Sequence, residues 1–240
     1  MNPSKIKTFF ELIKFEHTVF ALPFAYLGMI LARKSWPSFW VFFWTTLAMV
    51  GARTAGMALN RIIDLSIDQK NPRTQNRPSV TGEFKLSWAK ISVVVALLVF
   101  FLSAAMLNPL CLYLSPVALV FLSGYHYVKR FSFLCHFALG AVLAIAPMGG
   151  WLAVTGQFSW TPVLLAVAVL FWVAGFDIIY SLQDVEFDKA NGLHSVPVHF
   201  GKPDALRFSA YCHIAAVLFL VLFGLIHGLG ILYWVGVSVT

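Results

Sequence analysis

The sequence predicts an all-α membrane protein, a polytopic bundle of transmembrane helices. Of its 240 residues, 60% are hydrophobic and only 11% are charged, a balance that is not typical of a soluble globular domain. Apolar stretches of about 20 residues, the length that crosses a hydrocarbon core, recur from His17 to the C-terminus. They are unbroken runs such as VVVALLVFFLSAAML, whereas a closed β-barrel would need alternating polar and apolar residues.

Seven segments are predicted to span the membrane, and an incomplete apolar segment follows from about residue 229. The predicted spans are 17–32, 38–61, 87–107, 110–128, 132–153, 160–182 and 205–227. We expect residues 1–240 to form one transmembrane domain. Residues 1–16 place apolar side chains on one helical face and lysines on the other, which predicts an interfacial amphipathic helix.

Basic residues are sorted to one side of these spans. The chain has 17 Lys and Arg against 10 Asp and Glu, but in a membrane protein the placement of the surplus matters more than its size. Most basic residues precede the first span or lie in the connections after the second, fourth and sixth spans, and only Arg33 and Lys34 fall on the opposite side. The positive-inside rule therefore predicts that the N-terminus and the charged loops are cytoplasmic. We expect the membrane to be a plasma (inner) membrane of bacterial type. We expect the lipid bilayer, and no nucleic acid, as the partner of this basic surface.

Six of the ten acidic residues fall in two short windows at the ends of spans. In the first window, Asn60, Asp64 and Asp68 share one helix face about 12 Å long, and Arg53 lies two turns deeper. In the second window, spacings of three, four and seven again put four residues on one face. These four are Asp177, Tyr180, Asp184 and Asp188.

Such crowding of carboxylates predicts a bound cation. Carboxylates at a membrane interface repel one another and are costly to desolvate, so a neutralising ion is expected with them. Magnesium takes oxygen ligands from one or two carboxylates and completes its shell with water and substrate phosphate, which points to a diphosphate. Several basic residues could reach such an anion: Arg53, Lys70, Arg73, Arg77 and Lys129. The plainer interpretation, solvated loop acids facing headgroups, does not explain why the chain has so few other acids.

A weaker pattern relates the two halves of the chain. Asp64, Asp68 and Asn71 recur 120 residues later as Asp184, Asp188 and Asn191. This spacing suggests an internal repeat, a common plan in membrane enzymes and transporters whose site lies at the repeat interface.

These motifs resemble those of the UbiA superfamily of intramembrane aromatic prenyltransferases, and the likeness covers nearly the whole chain. That family carries N-D-x-x-D-x-x-x-D in its first cytoplasmic loop and D-x-x-x-D in a later one. The matching positions are Asn60, Asp64, Asp68, Asp184 and Asp188. One position departs, because the second residue is often Asp in the family and is Arg61 here, a variant that resembles the quinone-forming branch. The phrases ARTAGMALNRIID and SLQDVEFDKANGLHSVP are also most similar to quinone-biosynthesis members.

The resemblance implies a fold of nine transmembrane helices around a central cavity, with this chain ending within the eighth. Residues 61–86 and 183–204 would be cytoplasmic active-site loops. The implied reaction is the magnesium-dependent transfer of a polyprenyl group from an isoprenoid diphosphate to an aromatic acceptor, 4-hydroxybenzoate or a dihydroxynaphthoate, in ubiquinone or menaquinone biosynthesis. The implied Mg²⁺ ligands are Asn60, Asp64, Asp68, Asp184 and Asp188. The implied diphosphate ligands are Arg53, Arg73, Arg77, Tyr125 and Lys129, and the implied catalytic residues are Asp177, Tyr180, Lys129 and Arg53, with Asp177 near the acceptor.

Two other classes of membrane protein use acidic residues in comparable ways. Phosphatidyl-alcohol transferases carry a D-G-x-x-A-R core, which this chain lacks. A cation-coupled secondary transporter would bind ions through carboxylates near the bilayer midplane, whereas these acids lie at span ends beside basic loops. The transporter stays the alternative hypothesis.

The histidines show no spacing typical of metal ligands, such as H-x-x-x-H. We therefore predict that they are hydrogen-bonded core or loop residues. The seven are His17, His126, His136, His194, His199, His213 and His227.

Overall fold

All regular structure in the described part of the chain is helical. The computed structural model describes residues 15–239, with side chains from residue 19 onward. In chain order the helices are α1 (Phe15–Arg33), α2 (Phe39–Ile63), α3 (Leu65–Asp68), α4 (Pro78–Thr81), α5 (Leu86–Leu107), α6 (Pro109–Val128), α7 (Cys135–Thr155), α8 (Thr161–Ser181), α9 (Val185–Ala190), α10 (Val196–Phe200), α11 (Lys202–His227) and α12 (Ile231–Ser238). The amphipathic helix predicted for residues 1–16 lies almost wholly outside the described residues.

The long helices confirm the predicted membrane architecture. Each of the seven predicted spans coincides with one of the seven long helices, and α12 occupies the segment predicted to be incomplete. Five helical stretches among the described residues are long and apolar enough to cross a membrane. The second span, α2, is long enough at 25 residues but carries Arg53, Asn60 and Arg61 among its apolar side chains. Polar residues of this kind inside a membrane helix mark functional positions.

The described chain divides into two compact units, one of residues 15–126 with 149–157 and the other of residues 127–148 with 158–239. In the first unit α2 packs along α5, and α1 packs on α2. The contact is close at Gly51, where an added Cβ would lie 2.8 Å from the carbonyl oxygen of Ala96. Small residues let membrane helices approach to this extent.

The second unit is built in the same way around α8 and α11, which pack along each other. The hydroxyl of Ser209 on α11 donates to the carbonyl oxygen of Gly175 on α8 at 2.9 Å. A Cβ at Gly175 would lie 2.7 Å from the ring of His213. The end of α8, which leads into the second acidic window, is therefore anchored to α11 by both packing and a hydrogen bond.

Each unit repeats one order of elements around its acidic window. In the first unit a long helix ends at an aspartate, and in the second a 3₁₀ turn leads from the long helix to the aspartate. In both units a short helix follows, a second short helix begins with proline in its first turn, and a glycine with positive φ precedes the next long helix. The aspartate, proline and glycine are Asp64, Pro78 and Gly82 in the first unit, and Asp184, Pro197 and Gly201 in the second. The pattern of three matching residues in the sequence therefore extends to the backbone of both units.

Candidate active site

The first acidic segment, residues 60–71, spans the end of α2, and its acidic side chains are buried. Asp64 is 2% exposed, Asp68 5% and Asn71 6%. α2 ends at Ile63 with Asp64 as its C-cap residue, and the N–H of Asp68 in α3 donates to the carbonyl oxygen of Asp64 at 2.8 Å. Asn60 and Asp64 are in side-chain contact at the end of α2, and Asp68 follows in α3 after the break at Asp64.

Asn60 connects this segment to α6. Its Nδ2 group donates to Asp64 Oδ2 at 2.9 Å and to Nδ1 of His126 at 3.2 Å. His126 is 2% exposed, and no sequence spacing had marked it as part of a site. The amide of Asn60 is therefore held in one orientation, with its Nδ2 group committed to these two acceptors.

Two guanidinium groups neutralise the buried carboxylate of Asp68. Arg77 Nη1 donates to Asp68 Oδ2 at 2.6 Å, and Arg61 Nη1 lies 3.9 Å from the same oxygen. Arg61 also donates to Asn60 Oδ1 at 3.3 Å and is itself only 4% exposed. A buried carboxylate needs such partners because its desolvation is costly. Arg61, the position that departs from the family motif, is thus a fixed positive charge within the first acidic segment.

Arg53 and Tyr125, two of the predicted diphosphate ligands, both belong to the first unit. Nε of Arg53 is buried and has no hydrogen-bond partner among the described residues. The ring of Tyr125 lies 3.8 Å, centroid to centroid, from the ring of His126. A buried guanidinium nitrogen that lacks a partner in the described part of the chain, two turns before Asn60 on the same helix, is suited to an anionic ligand. Arg73 differs, since its side chain is exposed and its backbone N–H donates to Asn71 Oδ1 at 2.9 Å.

The second acidic segment, residues 180–191, is more open. Asp184 and Asp188 are half-buried, and Tyr180 is 46% exposed. The backbone tightens into a 3₁₀ turn over Leu182–Asp184 before α9 begins. A 3₁₀ turn rotates the chain by about 120° per residue instead of about 100°, so the continuous α-helix predicted from Asp177 to Asp188 is interrupted at this turn.

Asp177 lies in α8, before this turn, and is paired with a histidine. Its Oδ2 is 2.7 Å from Nδ1 of His136, which is 2% exposed at the start of α7. Nε2 of His136 accepts the backbone N–H of Val196 at 3.2 Å. His136 fits the prediction of a hydrogen-bonded core histidine, but the sequence had no signal for its partner, which lies 41 residues away.

Lys129 lies in the same unit as Asp177, in the connection between α6 and α7. Its carbonyl oxygen accepts the N–H of His194 at 2.7 Å. The connection that carries Lys129 is thereby joined to the loop that follows the second acidic segment.

The donors of the first segment fit magnesium. Carboxylate and amide oxygens are the hard ligands that Mg²⁺ prefers. No group of three or more His, Cys, Asp or Glu side chains that could hold a metal occurs within the part of the chain that the structure describes. Since Mg²⁺ usually takes one or two protein carboxylates and completes its shell with water and substrate phosphate, Asp64 and Asp68 suit an ion that is held together with a diphosphate.

Apolar helices that end in buried carboxylates and guanidinium groups define a class, the membrane enzymes that act on phosphorylated lipids. The comparison with protein families makes the assignment specific. The model of the UbiA prenyltransferase family matches residues 21–240, and the chain belongs to this family. Among curated proteins, the 4-hydroxybenzoate octaprenyltransferase of Methylobacillus flagellatus is 30% identical over 242 residues, which cover 98% of this chain and 77% of that protein.

Solved structures agree with this assignment. The apo structure of a UbiA homologue from Aeropyrum pernix K1 is 41% identical, with a TM-score of 0.88 over 93% of this chain and 84% of that one. A UbiA homologue from Archaeoglobus fulgidus, solved with DMAPP and Mg²⁺, is 21% identical, with a TM-score of 0.75 over 97% of this chain and 82% of that one. At 21% identity, the likeness to the A. fulgidus structure is evidence of a shared fold alone.

These comparisons confirm the predicted family, the all-α membrane fold and the assignment as a prenyltransferase. The transporter hypothesis finds no support among the matches. The roles of individual site residues stay predictions.

Proposed function

We propose that this chain transfers a polyprenyl group from an isoprenoid diphosphate to an aromatic acceptor, 4-hydroxybenzoate or a dihydroxynaphthoate, in a magnesium-dependent reaction of quinone biosynthesis. The observation that carries the proposal is the buried first acidic segment, in which Asp64 and Asp68 lie 2% and 5% exposed beside the guanidinium groups of Arg61 and Arg77. The named activity of the M. flagellatus relative supports the acceptor class. The A. fulgidus homologue solved with DMAPP and Mg²⁺ supports the cofactor and the donor.

Substrate binding begins with the diphosphate. Asn60, Asp64 and Asp68 in the first unit and Asp184 and Asp188 in the second are the proposed Mg²⁺ ligands. When bound, magnesium neutralises charge on the diphosphate and makes it a better leaving group. Arg53 offers its unpartnered Nε to the anion, and Arg73, Arg77, Tyr125 and Lys129 are the further proposed ligands of the diphosphate oxygens.

Arg77 has a second role in this scheme. In the structure its guanidinium neutralises Asp68. With Asp68 serving as a metal ligand, Arg77 would be available to the diphosphate oxygens. The basic residues therefore stabilise the empty site before substrate binds and the leaving group afterwards.

The chemical step breaks the C–O bond between the prenyl carbon and the diphosphate, with the electron pair leaving on oxygen. The allylic cation that results is attacked by an electron-rich ring carbon of the acceptor, which forms the new C–C bond. The ring then loses one proton. Asp177 polarises the acceptor hydroxyl or takes this proton, and Tyr180 donates a hydrogen bond to the leaving oxygens.

The distribution of basic residues supports a plasma membrane location with the active-site loops, residues 61–86 and 183–204, in the cytoplasm. Single cysteines at exposed positions of these loops, such as Glu83→Cys and Glu186→Cys, are expected to react with a membrane-impermeant thiol reagent only in inside-out vesicles. Labelling in right-side-out vesicles would contradict the orientation.

The activity is tested in membranes that contain the protein, with labelled isoprenyl diphosphates of several lengths, Mg²⁺ and either 4-hydroxybenzoate or 1,4-dihydroxy-2-naphthoate. We expect a labelled lipid product that depends on one of these acceptors, disappears with EDTA and returns with added Mg²⁺. Membranes from cells without the protein are the control. Failure with every aromatic acceptor, while labelled donor is consumed with another acceptor, would contradict the proposed acceptor class.

A further inference from the structure

His136 lies where three segments of the second unit meet. It is 2% exposed at the first turn of α7, with Nδ1 2.7 Å from Asp177 Oδ2 on α8 and Nε2 3.2 Å from the backbone nitrogen of Val196 at the start of α10. Both ring nitrogens are therefore engaged, each with a different segment.

The backbone determines which nitrogen carries the proton. A peptide N–H can only donate, so Nε2 of His136 accepts from Val196 and carries no proton itself. The neutral ring then has its proton on Nδ1, which donates to Asp177 Oδ2. Asp177 is held as a hydrogen-bond acceptor through one oxygen, while its side chain remains 26% exposed.

Two neighbouring hydrogen bonds reinforce this arrangement. The thiol of Cys135 donates to the carbonyl oxygen of His194 at 3.4 Å, and the N–H of His194 donates to the carbonyl oxygen of Lys129 at 2.7 Å. The connection from Lys129 to His136 is thus joined to the loop from His194 to Val196 at three points. Of the residues that make these three contacts, His136 also contacts α8, through Asp177.

We propose that His136 is a positioning residue for prenyl transfer, whose Nδ1–H orients the carboxylate of Asp177 and leaves Oδ1 for the acceptor. The proposal rests on the proposed role of Asp177. The chain of contacts runs from a backbone N–H through an imidazole to a carboxylate, so rigid backbone sets the orientation of the reacting side chain. In a catalytic triad the roles are reversed, because there a carboxylate accepts the Nδ1–H of a histidine and orients the imidazole ring.

A matched pair of substitutions separates the two contacts of His136. In His136→Asn the amide nitrogen stands near the place of Nδ1 and can still donate to Asp177, whereas in His136→Gln the amide oxygen stands near the place of Nε2 and can still accept from Val196. We expect His136→Gln to lower kcat by about 10- to 100-fold, the usual effect of losing a supporting hydrogen bond, with the KM for prenyl diphosphate unchanged. His136→Asn is expected to keep kcat within about threefold of the wild-type value.

A double-mutant cycle tests whether His136 acts through Asp177. We expect Asp177→Asn alone to lower kcat strongly, and His136→Gln to add less than about threefold in that background, because its target is already lost. If the two effects multiply, or if His136→Gln turns over normally, the positioning role is wrong. Wild-type turnover is measured in the same membranes, so a failure of the proposed function shows in the wild-type protein, and a failure of the role of Asp177 shows as normal turnover in Asp177→Asn.

The tautomer offers a readout that does not depend on activity. In protein with ¹⁵N-labelled histidine, the resonances absent from His136→Asn belong to His136. We expect a protonated Nδ1 and an unprotonated Nε2, and the opposite tautomer would overturn the proposal. Elution profile and thermal unfolding of both variants show whether they fold, and the Asn variant provides a folded protein in which the Asp177 contact persists.

Discussion

Asp64 and Asp184 occupy corresponding backbone positions in the two units, but their surroundings differ. Each precedes a short helix, with φ −94° and ψ 5° at Asp64 and φ −105° and ψ 5° at Asp184. The corresponding asparagines also match, since the N–H of Asn71 donates to the carbonyl oxygen of Ile67 and that of Asn191 to Phe187. However, Asp64 is only 2% exposed, whereas Asp184 is half-buried.

The difference shows that one backbone motif supports two kinds of electrostatic environment. In the first segment, burial makes an unpaired carboxylate costly, so Arg61 and Arg77 are held against Asp68 by the fold. In the second segment, Asp184 and Asp188 are half-buried, so water still solvates part of each carboxylate and the cost of desolvation is lower. The first segment is therefore organised before any ligand binds, and we expect its charges to be more sensitive to substitution.

The largest expected effect is the loss of turnover when a carboxylate is removed from either segment. Asp64→Ala and Asp184→Ala should each abolish turnover, a loss of on the order of 100-fold or more, since even partners outside the first metal shell contribute about 10- to 100-fold. Initial rates at saturating Mg²⁺ measure it. Glu186→Ala, an exposed acid in the second acidic segment, is the matched control and should retain activity. Near-normal magnesium-dependent activity in either aspartate variant would show that the corresponding segment does not bind the metal.

A smaller effect is expected when the fixed charge of the first segment is removed. Arg77→Met takes away the 2.6 Å partner of Asp68, whose side chain is 7% exposed, so the free energy of unfolding should fall by about 1–3 kcal/mol. Lys189→Met, an exposed base in the second segment, should change it by less than about 0.5 kcal/mol. Denaturant or thermal unfolding in detergent without Mg²⁺ measures both. Adding Asp68→Asn to Arg77→Met should restore part of the stability, because the unpaired buried charge is gone, and no recovery would argue against the electrostatic explanation.

Alanine substitutions of Gly82 and Gly201, the glycines that follow the two segments, should lower the free energy of unfolding by amounts that differ less than those of the preceding pair. Gly201 has φ 83° and ψ 163°, a region that only glycine occupies readily, so Gly201→Ala should cost about 1–3 kcal/mol. Gly82 has φ 81° and ψ 1°, close to the left-handed helical region, where alanine costs about 1–2 kcal/mol. An added Cβ meets no atom within 4 Å at Gly82 and only a 3.9 Å contact at Gly201, so the backbone alone decides the cost. Equal unfolding temperatures for the two variants would show that the two turns are energetically equivalent.

The smallest expected effect is the difference in stability between alanine variants of the two corresponding asparagines. Asn71 is 6% exposed and its Oδ1 accepts the N–H of Arg73, so Asn71→Ala should cost about 1 kcal/mol. Asn191 is exposed and its Nδ2 donates to the carbonyl oxygen of Phe187, so Asn191→Ala should stay within about 0.5 kcal/mol of the wild-type stability. Thermal unfolding of the two variants side by side gives the difference. A larger loss for Asn191→Ala would reverse the comparison between the segments.

The membrane helices were predictable to within a few residues. The predicted span 38–61 is α2 at Phe39–Ile63, and 160–182 is α8 at Thr161–Ser181. Lipid imposes this regularity, because a spanning segment must be apolar over about 20 residues. The short helices α4 and α10 were not predicted, since four or five residues carry too few apolar positions to show a period, whereas α3 and α9 lie where the two acidic windows were predicted to be helical.

The candidate site was predictable in part. Asn60, Asp64 and Asp68 stand out because acids are rare in this chain and recur at helical spacing. His126 and His136 did not, because a lone histidine without a second ligand at regular spacing looks like any core residue. The ion pair between Asp68 and Arg77 was also not predicted, because the sequence indicated only that Arg77 could reach a bound anion.

The sequence by itself determined the membrane fold, the family and the two acidic segments. Lipid restricts the composition of membrane spans so strongly that acidic residues clustered at span ends indicate a functional site. Tertiary structure decided which groups neutralise and orient those acids. Asp177 meets His136 over a separation of 41 residues, and His136 meets Val196 over 60. Contacts at such separations depend on how whole helices pack, and no local pattern of residues encodes them.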